Sequence, residues 1–193
     1  MAAEPTPAER RARRWSLAAL LLLAPAALAA AGWRQAIDLA HGRELRVREV
    51  AAGEAADYAG ATWRVSDFRV LADEPDPRLR TPPDRALALL RLKGRVARDI
   101  GEDWSVCQLT LVDGAGRRWR PGDVTLPRDL QRLIEPGGVS APTCGSVAFS
   151  QPKAGAEVEF GAIYVVPRDA LPTLRARFSV LSERPEALAF ARP

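Results

Sequence analysis

An uncharged, strongly apolar stretch from Trp15 to Trp33 is the feature that most restricts how this chain can fold. Its 19 residues would form a helix of about 28 Å, close to the roughly 30 Å hydrocarbon thickness of a bilayer. A tryptophan at each end is typical of the membrane interface, and the arginine-rich run 10–14 predicts a cytoplasmic N-terminus. The stretch therefore predicts a single-pass signal-anchor in the cell membrane, with the rest of the chain outside the cytoplasm.

A cleaved signal peptide is the alternative interpretation. Such a peptide also has basic residues before an apolar core, and both 27–29 and 29–31 place small residues at the spacing of a cleavage site. Pro25 would break a helix just before these sites. Arg13-Arg14 also permits a twin-arginine export signal, although the surrounding residues match that signal poorly. On this interpretation the mature protein is secreted or periplasmic.

The sequence divides into a basic N-terminus (1–14), the apolar segment (15–33), a linker with a first strand (34–61) and a domain (62–193). The whole chain has 28 basic and 24 acidic residues, a formal net charge of +4. Four of those arginines precede Trp15, so the part that follows is close to neutral. Its arginines and acids alternate rather than forming a basic stripe, which argues against a nucleic-acid partner.

Only two cysteines are present, Cys107 and Cys144. They are too far apart for a redox C-x-x-C motif, and with a single histidine they do not make a zinc site. Because two such cysteines usually pair in an oxidising compartment, we predict a Cys107–Cys144 disulfide. The alternative is two unpaired buried thiols.

Alternation of apolar and polar side chains predicts seven or eight strands. The predicted strands are 44–50, 62–71, 86–98, 104–112, 117–120, 156–166, 175–181 and 187–190. A slip in the alternation at Ser66-Asp67 predicts a β-bulge, segments 51–61 and 73–84 read as loops, and 126–135 as a short helix. Strands do not alternate with helices, which favours a mainly β antiparallel sandwich over an α/β sheet.

Two runs in this pattern resemble bacterial telokin-like extracellular domains. The first is Leu109–Trp119 (LTLVDGAGRRW), where a strand ends in a D-x-x-G-R turn before an aromatic residue. The second runs from Glu159 to Ala170, where an apolar strand ends in Val-Pro and leads into a final strand. The likeness covers roughly residues 63–180, and segments 73–84 and 126–142 depart from it. It implies an immunoglobulin-like sandwich in a small secreted or anchored protein, and it implies no catalytic residue.

The sequence predicts no catalytic, cofactor-binding or metal-binding set. Its one histidine, His41, precedes the predicted sheet, so a Ser-His-Asp or Cys-His arrangement within the domain is not expected. Trp104 is the candidate for an exposed binding surface, because its alternation places it opposite Cys107. We expect a non-enzymatic protein-interaction module anchored in the membrane; the alternative is a secreted or periplasmic protein that binds a small molecule or glycan.

Overall fold

The computed structural model describes residues 7–71, 81–121, 134–135 and 140–193. The chain separates into two compact units, Met1–Arg43 and Glu44–Pro193. The predicted helix at 126–135 lies outside the described residues except for its last two positions, and most of the predicted loop 73–84 lies outside them as well.

The first unit contains helix α1, which spans Pro7–Gly42 and includes Pro25 in its interior. Its part from Pro7 to Trp33 is long and apolar enough to cross a membrane. The described side chains of that part are exposed. An N-terminal apolar helix is therefore present, and it is longer than the predicted span at both ends.

The second unit is built from short strands and a short helix. Its described strands are β1 (Arg46–Val50), β2 (Ala55–Tyr58), β3 (Ala61–Leu71), β4 (Arg85–Val96), β5 (Cys107–Val112), β6 (Arg118–Trp119), β7 (Glu157–Pro167), β8 (Arg175–Val180) and β9 (Glu186–Ala191). Helix α2 (Cys144–Phe149) precedes β7, and short 3₁₀ turns flank β8 at Arg168–Thr173 and Leu181–Glu183.

These strands form two sheets. Sheet I has the order β1-β9-β8-β5-β6, and sheet II has the order β2-β3-β4-β7. Strand β1 is parallel to β9, whereas the other strand pairs of the described residues are antiparallel. The fold is thus a mainly β sandwich, as the alternation predicts, although with nine strands among the described residues rather than seven or eight.

The core lies between the sheets because the inward positions of both are apolar. Leu90 and Leu92 of β4 are fully buried, and Phe178 and Val180 of β8 are buried in the same cluster. Burial of each such side chain contributes roughly 1.5–3 kcal/mol. Tyr58 joins the two sheets: its hydroxyl donates to the Glu186 carbonyl at 2.8 Å and accepts from the Val180 amide at 3.1 Å.

The β-bulge predicted at Ser66-Asp67 is confirmed, since the register of β3 against β4 shifts between Val65 and Asp67. The extra residue changes which positions face inward. Trp63 faces the core before the bulge and Phe68 faces it afterwards, and both are buried.

Two predicted boundaries are wrong. Segment 51–61 is not a loop throughout, because β2 lies within it and pairs with β3. Its Ala-rich, acidic sequence has weak intrinsic strand preference, so the pairing with β3 decides its conformation. The β unit accordingly begins at Glu44 rather than at residue 62.

Cys144, for which the alternation indicates no strand, begins helix α2. The Thr143 side chain caps this helix by accepting a hydrogen bond from the Ser146 amide at 3.2 Å. The following strand starts only at Glu157, after the turn that ends in Gly155.

Candidate functional site

The predicted disulfide is present: Cys107 of β5 is bonded to Cys144 of α2, with the two Cα atoms 6.0 Å apart. The bond ties α2 to sheet I, while the Gly161 amide of β7 donates to the Pro142 carbonyl at 3.0 Å just before the helix. Helix α2 is therefore held between β5 of sheet I and β7 of sheet II. This position makes Cys107 and Cys144 structural residues.

Trp104 does not lie on the surface, so its interpretation as a binding residue is wrong. Its side chain is only 2% exposed, and its Nε1 donates to the Ala59 carbonyl at 2.8 Å. Its ring packs against Trp63 with centroids 5.0 Å apart. Trp104 precedes β5 in a non-strand segment, so strand alternation does not apply to it.

The described residues contain no group of three or more His, Cys, Asp or Glu side chains placed to hold a metal ion. His41 lies in α1, and therefore outside the β unit. The arrangements that remain are surfaces: one apolar and one charged, at opposite ends of the sandwich.

We define the entry end as the end of the sandwich where β1, β5 and β9 begin. The register places Arg46 beside Glu186 and Cys107 beside Val180, so these strand ends lie together. The chain arrives here from α1. The far end is the opposite one, where β5 and β9 end and β8 begins.

Among the described residues of the β unit, four large apolar side chains are exposed, and their positions in the chain place them at or near the entry end. They are Leu45 (59% exposed), Val106 (42%), Phe149 (91%) and Leu181 (46%). We call this set the apolar cluster. Such side chains are ordinary when they are scattered, so their grouping makes this end a candidate contact surface.

Backbone contacts connect members of the apolar cluster. The Leu181 amide donates to the Val106 carbonyl at 2.9 Å, and the Arg46 amide donates to the Pro185 carbonyl at 3.0 Å. Leu45 therefore adjoins the turn that begins with Leu181. Phe149 is the last residue of α2, whose continuation reaches β4 at the entry end, since the Gly155 amide donates to the Val96 carbonyl at 2.8 Å.

A charged cleft of about 660 Å³ lies at the far end, on the outer face of sheet I. Its floor includes Val112, Ala189 and Arg177, which project away from the core on three neighbouring strands. Arg175 and Arg192 stand at its sides. The remaining lining residues are Glu49, Asp113, Gly114, Pro172, Thr173, Leu174, Ala191 and Pro193.

The carboxylates near this cleft are already engaged. Arg175 forms an ion pair with Glu49, and both side chains are about half exposed. The Asp113 side chain is buried, where it accepts hydrogen bonds from the Arg117 amide at 2.8 Å and the Arg117 Nε at 2.7 Å. Arg192 has no ion-pair partner among the described residues, and the ionisable side chains that line the cleft are three arginines and two carboxylates.

Arg177 is the most constrained of the cleft arginines. Its side chain is 18% exposed, and its Nε has no hydrogen-bond partner among the described residues. Burial, and then the positive charge of Arg118, lowers the pKa of Arg177; Glu44 and Glu49 oppose this effect.

Glu44 is the buried carboxylate nearest to this arginine. Its Oε2 lies 2.7 Å from Arg118 Nη2 and 3.8 Å from Arg177 Nη1, close enough for ion pairs but without a directed hydrogen bond at that oxygen. The other oxygen of Glu44 accepts a hydrogen bond from the Ser179 hydroxyl. Glu44 is therefore shared between two arginines and neutralises only part of their charge.

Part of the outer face of sheet II is covered by the described residues 134–135. Ile134 packs on Leu87 and Leu89, and Glu135 forms a buried ion pair with Arg91. Both Leu87 and Leu89 are buried as a result, so this apolar patch has its partner within the chain.

No model of a known protein family and no curated protein matches the chain. Two solved structures resemble it. An uncharacterised β-sandwich protein from Clostridium difficile 630 is 9% identical with a TM-score of 0.42, over 75% of this chain and 93% of that one. A conserved hypothetical protein from Bacillus anthracis is 16% identical with a TM-score of 0.42, over 71% and 93% respectively. At these identities and TM-scores the similarity carries nothing about function.

Proposed function

We propose that this chain is a single-pass membrane protein whose β domain lies outside the cytoplasm and acts as a non-enzymatic protein-interaction module. The observation that carries the proposal is the apolar cluster at the entry end. A large aromatic side chain such as Phe149, 91% exposed, is a typical anchor of a protein interface. Val106 and Leu181, which are joined by a backbone hydrogen bond, add further exposed apolar side chains to this end.

The membrane location is supported by the N-terminal helix and its flanking charges. Arg11, Arg13 and Arg14 precede an apolar helix of membrane-spanning length, which favours a cytoplasmic N-terminus. The Cys107–Cys144 bond favours an oxidising compartment for the β domain. A cleaved signal sequence would have the same length and composition, so retention of the helix is the part of the proposal that needs direct measurement.

The position of Leu45 favours a partner in the same membrane. Only Arg43 and Glu44 separate this exposed side chain from the end of α1. The apolar cluster is therefore at the end of the domain that the chain reaches first after the helix.

We further propose that the sandwich is immunoglobulin-like. Its central strands in sheet I have the order β5-β8-β9, which corresponds to the C-F-G order of such domains, and β6 lies beside β5 as C′ lies beside C. The resemblance of Leu109–Trp119 to telokin-like extracellular domains falls on this β5–β6 hairpin. Many domains with this architecture serve as recognition modules, an association of fold rather than a derivation of function.

Site-specific photo-crosslinking in a bacterial host tests the proposal. The full-length chain carries a benzophenone amino acid at position 149, and a matched control carries it at Ala115, an exposed position in the β5–β6 turn at the far end. We expect a discrete protein adduct from position 149 in the membrane fraction and none from position 115. Intact mass of the same fraction shows whether the helix is retained.

The outcomes separate the parts of the proposal. Equal adducts from both positions, no adduct from position 149, or an adduct to lipid alone would contradict a protein partner at the entry end. A soluble product whose mass begins near residue 30 would contradict the anchor, and the secreted alternative would replace it.

A further inference from the structure

The far-end cleft on sheet I has no role in the interaction proposed for the entry end. We propose that it binds a small organic anion that carries at least two carboxylate or phosphate groups. Three arginines, Arg175, Arg177 and Arg192, line the cleft. Of the two carboxylate side chains in its lining, that of Asp113 is buried and that of Glu49 is exposed. Planar guanidinium groups hold carboxylates and phosphates through paired hydrogen bonds.

The resident ion pair can give way to such a ligand. The Arg175 and Glu49 side chains are 52% and 56% exposed, and an ion pair of that exposure is weak in water. A ligand with two anionic groups would offer a second partner to Arg175 and one to Arg192, which has none among the described residues. Binding of the ligand therefore adds charge-assisted hydrogen bonds without breaking a buried contact.

At the floor of the cleft, the Arg177 side chain lacks a hydrogen-bond acceptor of the kind that an anion would provide. Arg177 is largely buried, its Nε has no hydrogen-bond acceptor among the described residues, and its nearest carboxylate, Glu44, is shared with Arg118. Buried polar groups without partners are uncommon and often mark a site that a ligand or water completes.

The shape and composition of the cleft favour a small anion over a neutral sugar. Its volume of about 660 Å³ is within the range of small-molecule sites, roughly 300–1,000 Å³. The turn at Pro172–Leu174 and the backbone at Gly114 form one wall, and Arg192 stands at the other. None of the lining residues is aromatic, so the cleft lacks the flat apolar platform on which a neutral sugar ring would stack.

Calorimetric titration of the full-length protein in detergent micelles tests the inference. Citrate and pyrophosphate serve as carboxylate and phosphate probes at low ionic strength, and sucrose serves as the neutral probe. The variants are Arg175→Gln and Arg192→Gln, both at exposed positions where the fold should tolerate them. Arg64→Gln removes an equally exposed arginine from the outer face of sheet II and is the matched control.

We expect saturable binding of citrate, pyrophosphate or both, with no binding of sucrose. Each cleft variant should raise the dissociation constant by about tenfold, because it loses one charge-assisted hydrogen bond to the ligand. Arg64→Gln should leave the dissociation constant unchanged. The preferred probe identifies the anionic group. Absence of saturable binding to both anions, or equal weakening by all three variants, would overturn the inference. Either result leaves the crosslinking at position 149 unaffected, since that position is at the opposite end.

Discussion

The indole of Trp63 fills the space that a side chain at Gly94 would need: a Cβ built on Gly94 would lie 2.4 Å from Trp63 Cζ3. The two residues are direct partners across β3 and β4. Because Gly94 leaves this space open, the Trp63 ring reaches the middle of the sandwich. Its centroid lies 4.9 Å from that of Phe178 in sheet I and 5.3 Å from that of Phe160 in sheet II.

The contact predicts that Gly94→Ala destabilises the β domain. The added methyl group has no room beside a fully buried ring, so Trp63 must leave its position and disturb both sheets. We expect the free energy of unfolding to fall by about 3 kcal/mol, the upper part of the range for overpacked cores. Near-UV circular dichroism during denaturant unfolding of the full chain in micelles measures this loss.

Gly145→Ala is the matched control, because a Cβ at Gly145 meets no atom within 4 Å and the residue is helical. This substitution should leave stability unchanged or raise it by up to about 1 kcal/mol. Equal destabilisation by both substitutions would show that the Trp63–Gly94 contact is not responsible.

Much of the fold could be predicted from local alternation. The inward positions of β4, β5 and β8 follow directly from it, and so does the bulge at Ser66-Asp67. Strand β2 could not be predicted in this way, because its partner β3 imposes its conformation from outside the segment. The pairing of β1 with β9 is equally inaccessible, since it joins residues about 140 positions apart and alternation carries no information on partners.

The two candidate surfaces were much less predictable. The outward positions of Arg175 and Arg177 can be read from the alternation of β8, but Arg192 joins them only through the pairing of β8 with β9. The exposure of Phe149 depends on the position of α2. That position is determined by the Thr143 cap and by the disulfide of Cys144. The sequence around Phe149 has no period that would distinguish a surface aromatic from a core residue.

Removal of the disulfide should weaken the domain substantially. The bond closes a loop across a sequence separation of 37 residues, for which the chain-entropy model gives a contribution of roughly 3–4 kcal/mol. We expect the Cys107→Ala/Cys144→Ala double variant to lose about this amount in denaturant unfolding. The wild type measured with a reductant should show the same loss. A reduced wild type as stable as the oxidised one would contradict this prediction.

The buried ion pair between Arg91 and Glu135 leads to a third prediction. Arg91 Nε donates to Glu135 Oε2 at 2.9 Å, and both side chains are less than a tenth exposed. Glu135→Gln would remove the carboxylate closest to the buried Arg91 guanidinium, and the free energy of unfolding should fall by about 3 kcal/mol. This is the lower part of the range for breaking buried pairs, because Glu159 Oε2 also lies 3.8 Å from Arg91 Nη1. Thermal unfolding of the two chains in parallel measures the difference.

Two further variants isolate the charge at this site. Glu157→Gln breaks the ion pair with Lys93 on the same sheet face, where the Glu157 side chain is 62% exposed, and should cost no more than about 1 kcal/mol. Replacing both members of the buried pair, as Arg91→Met/Glu135→Gln, removes the buried guanidinium as well and should recover part of the stability lost in Glu135→Gln. A double variant less stable than Glu135→Gln would indicate that Arg91 contributes mainly through its other contacts.

The Asp113 carboxylate should make the stability of the β5–β6 hairpin depend on acid pH. Burial opposes its ionisation, but the Arg117 guanidinium and the amides of Arg117 and Ala115 outweigh burial and lower the pKa of Asp113. A lowered pKa in the folded state means that the stabilisation is complete above the unfolded value of about 3.9 and is lost as pH falls through the folded value. Asp113→Asn should therefore have a lower Tm than the wild type at pH 7, and the difference should shrink below about pH 4.

Asp84→Asn, at a side chain 70% exposed, controls for the substitution itself at pH 7. A Tm difference that stays constant from pH 7 to pH 2 would show that the charge of Asp113 does not stabilise the hairpin.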